Sequence, residues 1–137
     1  MEDKIKAIRE KIELYSLRKA KIEDMKLELI ELELGETLKA QEYNESVQAS
    51  IKCKNNDELL LKKERLINKI KFYEVSNNRV DKWLELIKNE KAREAIDYVY
   101  IQKMSKTQTC KKMDRTRKSV DNLLRKGETE IYRALYE

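Results

Sequence analysis

This chain of 137 residues contains no proline and no histidine, and it has only two glycines. Proline and glycine are the residues that most often end a helix, so very little in the sequence interrupts helical structure. Charged residues make up 42% of the chain, and aromatic residues only 7%. This composition predicts an almost entirely helical protein, the size of one domain or of one small domain with an extension.

The missing histidine also limits the chemistry that the chain can perform. Cys53 and Cys110 are the only cysteines, which excludes zinc-finger spacing and a disulfide framework. Gly35 and Gly127 are too far apart to form a phosphate-binding loop. The carboxylates and lysines form no recognisable catalytic constellation. We therefore expect a protein that is not an enzyme and that holds no metal or cofactor.

Long apolar runs are missing as well. The existing runs are too short and too interrupted for a transmembrane span, and no signal peptide is visible at the start. These features predict a cytoplasmic protein without a membrane partner.

The positive charge of the chain is concentrated in its last third. Residues 1–90 contain 19 basic and 19 acidic residues, whereas residues 91–137 contain 12 basic and 7 acidic residues. Within residues 103–126 the balance is 9 basic against 2 acidic. A basic segment of this kind is typical of a surface that binds a polyanion. The alternative is an ordinary solvated face of a helix.

The same segment has the pattern of a helix-turn-helix. Ser105 is the predicted N-cap of a first helix that ends near Met113, and Asp114 occupies the turn. Thr116 is the predicted N-cap of the second helix. That helix carries Val120, Leu123 and Leu124 in a buried stripe, which we expect to continue through Gly127, Ile131, Ala134 and Leu135.

The face opposite this stripe is basic and carries an amide, as expected of a recognition helix that enters the major groove of double-stranded DNA. We predict phosphate contacts for Lys111, Lys112 and Arg117. Base contacts are predicted for Lys118, Asn122 and Arg125. The full set of predicted DNA-binding residues is Lys111, Lys112, Arg115, Thr116, Arg117, Lys118, Asp121, Asn122 and Arg125.

Two longer helices are predicted before this segment. The first covers residues 1–34, with isoleucines on one seam and Gly35 as its terminator, and the second begins at Asp57. Residues 35–56 are polar and are predicted to be mainly a loop. Asn77 lies in the seam of the second helix, where it either fixes the register of a coiled coil or marks a break. The helices pair either between chains or within one chain.

The predicted fold is therefore all-α, with long coiled-coil-like helices followed by a small helix-turn-helix domain. Residues 1–90 form the predicted helical oligomerisation region, with a loop at about 35–56. Residues 91–137 form the predicted DNA-binding domain. The protein is expected to act as a homo-oligomer.

The spacing S-x-x-x-x-C-x-x-M-x-x-T-x-x-x-V over residues 105–120 resembles the helix-turn-helix of sigma-factor region four. There a small residue is usual at the position of Cys110, an aliphatic residue at that of Met113, and a helix cap at that of Thr116. The chain departs from the usual pattern at Thr109, where an aliphatic residue is common, and at Asp114, where glycine is common.

Upstream, the segments VQASIKCKNNDELLLKKERLINKI and VDKWLELIKNEKAREAIDYVYIQKMS resemble phage transcriptional regulators of the ArpU/RinA kind. The resemblance covers roughly residues 47–135. It implies sequence-specific activation of late phage genes in the cytoplasm of a bacterial host, at the nucleoid.

Two other functions stay open at this point. A small subunit of a phage DNA-packaging terminase also joins a helix-turn-helix to helical oligomerisation elements, and it would be expected to form a ring. A helical adaptor that does not bind DNA is the third possibility. A regulator would instead be a dimer or small oligomer that recruits host RNA polymerase.

Overall fold

The computed structural model describes the backbone of residues 1–43 and 49–137, and the side chains of residues 1–35 and 57–137. Over these residues the chain is all-α and has no β-strand, which confirms the predicted fold class. The helices are α1 (Glu2–Glu13), α2 (Tyr15–Tyr43), α3 (Ala49–Glu85), α4 (Glu90–Ile96), α5 (Lys106–Met113) and α6 (Arg117–Tyr136). A π-helical turn, Asp97–Ile101, continues α4.

The described chain forms two compact units. The first combines Met1–Arg18 with Ser76–Glu137, and the second is Lys19–Val75. This division differs from the predicted boundary after residue 90, because residues 1–18 and 76–90 belong to the same unit as the helix-turn-helix.

The first unit has a core to which both ends of the sequence contribute. Ile5, Ile8 and Ile12 form one buried stripe on α1, and that helix packs against α6 and the π-helical turn. A seam of isoleucines indicates which face of a helix is buried, but it does not identify the covering partner. For this reason the sequence pattern did not place α1 beside the C-terminal helices.

Helices α3 and α4 complete this core. Val80 and Trp83 of α3, Ile87 of the following connection, and Ala92 and Ile96 of α4 all belong to the same buried cluster. Trp83 thus packs between α3 and the neighbouring helices of this cluster. The connection between α3 and α4 is held by the carboxylate of Glu130, which accepts hydrogen bonds from the backbone N–H groups of Lys88 (3.1 Å) and Asn89 (3.3 Å).

The predicted single helix over residues 1–34 is interrupted at Leu14. The helical hydrogen bonds of α1 end there, and α2 begins at Tyr15. Two side chains bond to carbonyl groups in the last turn of α1. Arg18 Nη1 donates to the carbonyl of Lys11 (3.0 Å), and Lys103 Nζ donates to that of Glu13 (2.5 Å).

The predicted loop over residues 35–56 is wrong wherever the backbone is described. Helix α2 continues through Gly35 to Tyr43, and α3 begins at Ala49 rather than at Asp57. One glycine costs a helix interior only about 1 kcal/mol relative to alanine, and the surrounding leucines and glutamates favour a helix. Polarity alone therefore gave a false loop. The thiol of Cys53 lies outside the described side chains.

Helix α3 is continuous through Asn77, so the alternative of a break there is wrong. The Asn77 side chain is buried, and its Nδ2 donates to the backbone carbonyl of Tyr15 (3.2 Å). A polar residue in the seam thus bonds within its own chain, across the start of α2.

The second unit consists of parts of α2 and α3 that pair with each other. The Nζ of Lys26 is 3.3 Å from a carboxylate oxygen of Glu74, and Lys21 lies over the ring of Tyr73. Only five residues separate α2 from α3 and they span at most about 20 Å. The segment of α2 in this unit is about 37 Å long, so the two helices run antiparallel.

Candidate nucleic-acid interface

Helices α5 and α6 each begin at a capping side chain. The hydroxyl of Ser105 accepts a hydrogen bond from the backbone N–H of Gln108 (3.1 Å), and that of Thr116 accepts one from Ser119 (3.2 Å). Each cap satisfies a backbone donor that the first turn of a helix leaves free. Both predicted caps are confirmed.

The turn between the two helices is built around Asp114, which has left-handed backbone angles (φ 53°, ψ 52°). The backbone N–H of Arg115 donates to the carbonyl of Cys110 (3.0 Å), and that of Asp114 to Lys111 (3.3 Å). These two bonds form a Schellman motif, a common way to end a helix. Aspartate adopts this conformation more readily than most residues other than glycine.

Thr109 takes the inward position on α5 where an aliphatic side chain is usual in the resembled pattern. It is fully buried, and its hydroxyl donates to the carbonyl of Ser105 (2.9 Å). The hydroxyl is therefore satisfied by the backbone carbonyl of its own helix N-cap. Threonine thus fits this position without leaving a buried polar group unpaired.

Helix α6 has one buried face and one exposed face. Val120, Leu124, Gly127 and Ile131 are buried, as predicted. Ala134 and Leu135 are exposed, so the predicted stripe ends earlier than expected. Ile131 is the last buried residue of this helix, a limit that a regular spacing cannot reveal.

The predicted DNA-binding residues lie in the last turn of α5, in the turn that follows and along α6. Asp121 is half-buried and the other eight are exposed. Asp121, Asn122 and Arg125 line one cleft, and Lys111, Arg115 and Thr116 line another. The full set is Lys111, Lys112, Arg115, Thr116, Arg117, Lys118, Asp121, Asn122 and Arg125. We call this set the basic face.

Two members of the basic face are held by ion pairs within the first unit. A carboxylate oxygen of Asp121 is 2.9 Å from Lys106 Nζ, and Arg125 donates to the carboxylate of Glu2 at 2.8 Å. Because Glu2 belongs to α1, that helix borders the basic face. A cleft of about 550 Å³ lies where they meet, and Arg9, Lys103 and Asn122 contribute to its walls.

Lys112 and Arg115 also have intramolecular contacts. The ammonium group of Lys112 lies 4.9 Å from the ring centre of Tyr98, which belongs to the π-helical turn. Arg115 donates to the hydroxyl of Ser119 (3.2 Å). These contacts are made by exposed side chains, so they orient the cations while leaving them accessible to an anion.

Behind the basic face lies a buried charged group that the sequence analysis missed. Glu128 is 1% exposed, and its carboxylate accepts two hydrogen bonds from Arg9, both at 2.8 Å. The hydroxyl of Tyr100 donates a third, at 2.7 Å. A glutamate on the inward side of α6 is the only sequence signal for this cluster, and it does not identify either partner.

The electrostatics of this cluster follow from its burial. The hydrogen bond from Arg9 to Glu128 raises the pKa of Arg9, an effect that burial partly opposes. Burial raises the pKa of Tyr100 well above its usual value of about 10, and its hydrogen bond to Glu128 acts in the same direction. Arg9 and Tyr100 thus keep their protons, and α1 is joined to α6 by a charge-assisted bidentate contact.

No protein-family model, curated protein or solved structure matches this chain. Among the helices of residues 1–43 and 49–137, none combines the length and apolar character that crossing a membrane requires.

Proposed function

We propose that this protein binds double-stranded DNA in a sequence-specific manner and regulates transcription, with α6 as its recognition helix. The observation that carries the proposal is the capped pair α5 and α6, joined through Asp114, with a basic and amide-bearing exposed face. A helix of this kind fits the major groove, and its N-terminal turns contact base edges.

The residues of the basic face divide into two roles. Lys111, Lys112 and Arg117 lie near the turn, where cations contact phosphates and position the protein on the duplex. Lys118 and Asn122 lie farther along the exposed face of α6 and are the candidates for base edges. An asparagine pairs bidentately with adenine, and a lysine with guanine.

Arg125 requires a further step. Its guanidinium is bonded to Glu2, so contact with a base requires this ion pair to open or rearrange. Both side chains are mostly exposed, and an exposed pair contributes only about 0–1 kcal/mol. DNA phosphates therefore compete with Glu2 at little cost, and this competition is part of the proposed binding.

The wider role follows from the resemblance to phage regulators of the ArpU/RinA kind. We propose a bacterial cytoplasmic, nucleoid-associated regulator that acts as a homo-oligomer and recruits RNA polymerase at late phage genes. Two copies would place two recognition helices at half-sites about 34–36 Å apart. A ring of many copies in light scattering would favour the DNA-packaging subunit instead.

The proposal is tested by titrating the full chain into a labelled duplex selected from a random pool. Arg117→Ala should weaken binding to every duplex and lower the salt dependence of log K by about one unit. Arg79→Ala is the matched control, since Arg79 is an exposed arginine of α3 outside the basic face. Equal effects of the two substitutions would contradict the proposed phosphate contact.

Base recognition is tested separately by Asn122→Ala. This variant should lose about 1–3 kcal/mol of discrimination at one base pair and keep nearly the same salt dependence. If it lowers affinity for selected and random duplexes equally, Asn122 does not recognise a base.

A further inference from the structure

The second unit carries an apolar surface that its own helix pair does not cover. Leu27, Ile30 and Leu34 lie on α2, and Leu60, Leu61, Ile67 and Val75 lie on α3. These seven side chains are between 38% and 60% exposed. We call them the outer apolar face. They are distinct from Ile22, Leu66 and Ile70, which are buried in this unit.

The two halves of this face emerge on the same side of the helix pair. At 100° per residue, the exposed stripe of α2 is rotated from Ile22 by roughly 110° in the direction of increasing residue number. On α3 the rotation from the midpoint of Leu66 and Ile70 is roughly 80–100° for Ile67 and Leu60 and roughly 160–200° for Val75 and Leu61, in the same sense. Ile67 and Leu60 therefore match the stripe of α2 most closely. The two helices of an antiparallel pair are related by a two-fold axis that is perpendicular to the plane containing both helix axes. Residues that are rotated from the buried seam of each helix by similar angles and in the same sense therefore lie on the same side of that plane.

The charges of the two helices are opposite. Residues 19–35 contain five acidic and three basic residues, and residues 57–75 contain four acidic and five basic residues. The described part of α2 in this unit thus has a net charge of −2, and that of α3 a net charge of +1. A surface that combines both helices is complementary to a second copy of itself, turned so that α2 of each chain lies on α3 of the other.

In this arrangement, residues of the outer apolar face also lie at matching heights along α2 of one copy and α3 of the other. The contacts of Lys21 with Tyr73 and of Lys26 with Glu74 fix which residues lie at the same height. In a dimer whose axis runs along the helices these heights are shared by both chains. Leu27 then lies within about one helical turn of Ile67 of the other copy, and Glu23 within about one turn of its Lys71.

We propose that the outer apolar face joins two copies of this chain into an antiparallel four-helix bundle, with α2 of each copy against α3 of the other. Such bundles bury apolar stripes between helices at small crossing angles. This interface is independent of the basic face and does not depend on DNA binding. The seam formed by Leu66 and Ile70 is used within the chain, so the dimer forms through the other side of the helices.

The first test is the mass of the full chain by sedimentation at about 10 µM. The protein should be a dimer, and the double substitution Leu27→Glu/Ile67→Glu should raise the dissociation constant at least about 100-fold. Leu135→Glu, at an exposed leucine of α6, is the control and should remain dimeric. Unchanged circular dichroism establishes that the variants are folded. A monomeric natural chain, a larger assembly, or a dimer insensitive to the double substitution would overturn the proposal.

The second test uses charge reversal to separate contacts between chains from contacts within one chain. Glu23→Lys and Lys71→Glu should each weaken the dimer about 10-fold, since each places like charges opposite one another. Mixing the two variants should restore dimers, because Lys at 23 of one chain then meets Glu at 71 of the other. A role within one chain cannot be rescued by mixing, so absence of rescue overturns the arrangement. Duplex titration of the same variants reports separately on the basic face.

Discussion

Glu128 is a charged residue that the fold buries completely, and its partners come from two distant parts of the chain. Arg9 contributes a bidentate contact from α1, and Tyr100 contributes a hydroxyl from the π-helical turn. A buried carboxylate is tolerable only when its oxygens are bonded in this way. The cluster therefore positions α1 against α6, the proposed recognition helix.

Removing one hydrogen-bond partner of Glu128 should lower the stability of the protein. Arg9→Ala leaves the Glu128 carboxylate with Tyr100 alone, and we expect the free energy of unfolding to fall by about 3 kcal/mol. Arg9→Met combined with Glu128→Leu should recover much of that loss, because apolar side chains of similar size need no counter-charge. Urea denaturation measures both. Arg79→Ala is the control, and an equal effect of Arg9→Ala and Arg79→Ala would contradict the structural role.

Tyr100 gives the stability of the protein a specific dependence on alkaline pH. Its pKa is raised in the folded chain, so above about pH 10 an unfolded tyrosine releases a proton that the folded one keeps. The free energy of unfolding should therefore fall as pH rises above 10, with Tyr100 contributing up to about 1.4 kcal/mol per pH unit. Tyr100→Phe should show a shallower decline from pH 10 to 11 in denaturation experiments. Parallel declines would show that Tyr100 ionises normally.

The residue scale also shows what sequence can reveal. Ser105, Asp114 and Thr116 are predictable because each acts on backbone groups within five residues of itself. Arg9 and Glu128 are 119 positions apart. Either alone resembles the many solvated charges of this chain, so no local pattern predicts their contact.

At the scale of the helix, ends marked by a capping side chain are predictable, whereas ends inferred from polarity are not. Helices α5 and α6 begin where their caps indicate, but α2 passes through Gly35. The two glycines of the chain differ in their surroundings. A Cβ at Gly35 would contact nothing within 4 Å, whereas one at Gly127 would overlap Cδ1 of Ile96. The absence of a side chain at Gly127 thus permits the close approach of α4 and α6.

This close approach predicts a coupling between two positions. Gly127→Ala alone gains helix propensity of about 1 kcal/mol but clashes with Ile96, so we expect little net gain or a loss. In a chain that already carries Ile96→Val, which lacks that methyl group, Gly127→Ala should be stabilising by up to about 1 kcal/mol. A double-mutant cycle of unfolding free energies measures the coupling. Additive effects would mean that α4 and α6 can separate freely.

On the scale of the whole molecule, the sequence predicts the helical class and the location of the basic segment, but not the division into units. Heptad spacing along residues 1–34 and 57–87 indicates helices that bury one seam. It does not distinguish a partner in another chain from one in the same chain. The structure pairs α2 with α3 and adds α1 to the helix-turn-helix unit.

The division into units predicts that the first can exist without the second. Arg18 and Ser76 border the two parts of the first unit, and nearby Asn77 bonds to Tyr15. Replacing residues 19–75 by a short glycine–serine linker should therefore leave a folded chain that unfolds cooperatively and binds a DNA half-site. The same chain should be monomeric in sedimentation. Loss of cooperative unfolding would show that the second unit is needed to fold the first.

The distance in sequence between Arg9 and Glu128 also affects how the protein is made. Synthesis proceeds from the N-terminus, so α1 leaves the ribosome long before α6 exists. Until then Ile5, Ile8 and Ile12 lack the surface that covers them in the finished unit. Closing so long a loop is slow and entropically unfavourable. Translation that stops between α1 and α6 would thus release a chain whose first helix exposes an apolar stripe, the kind of surface that chaperones bind.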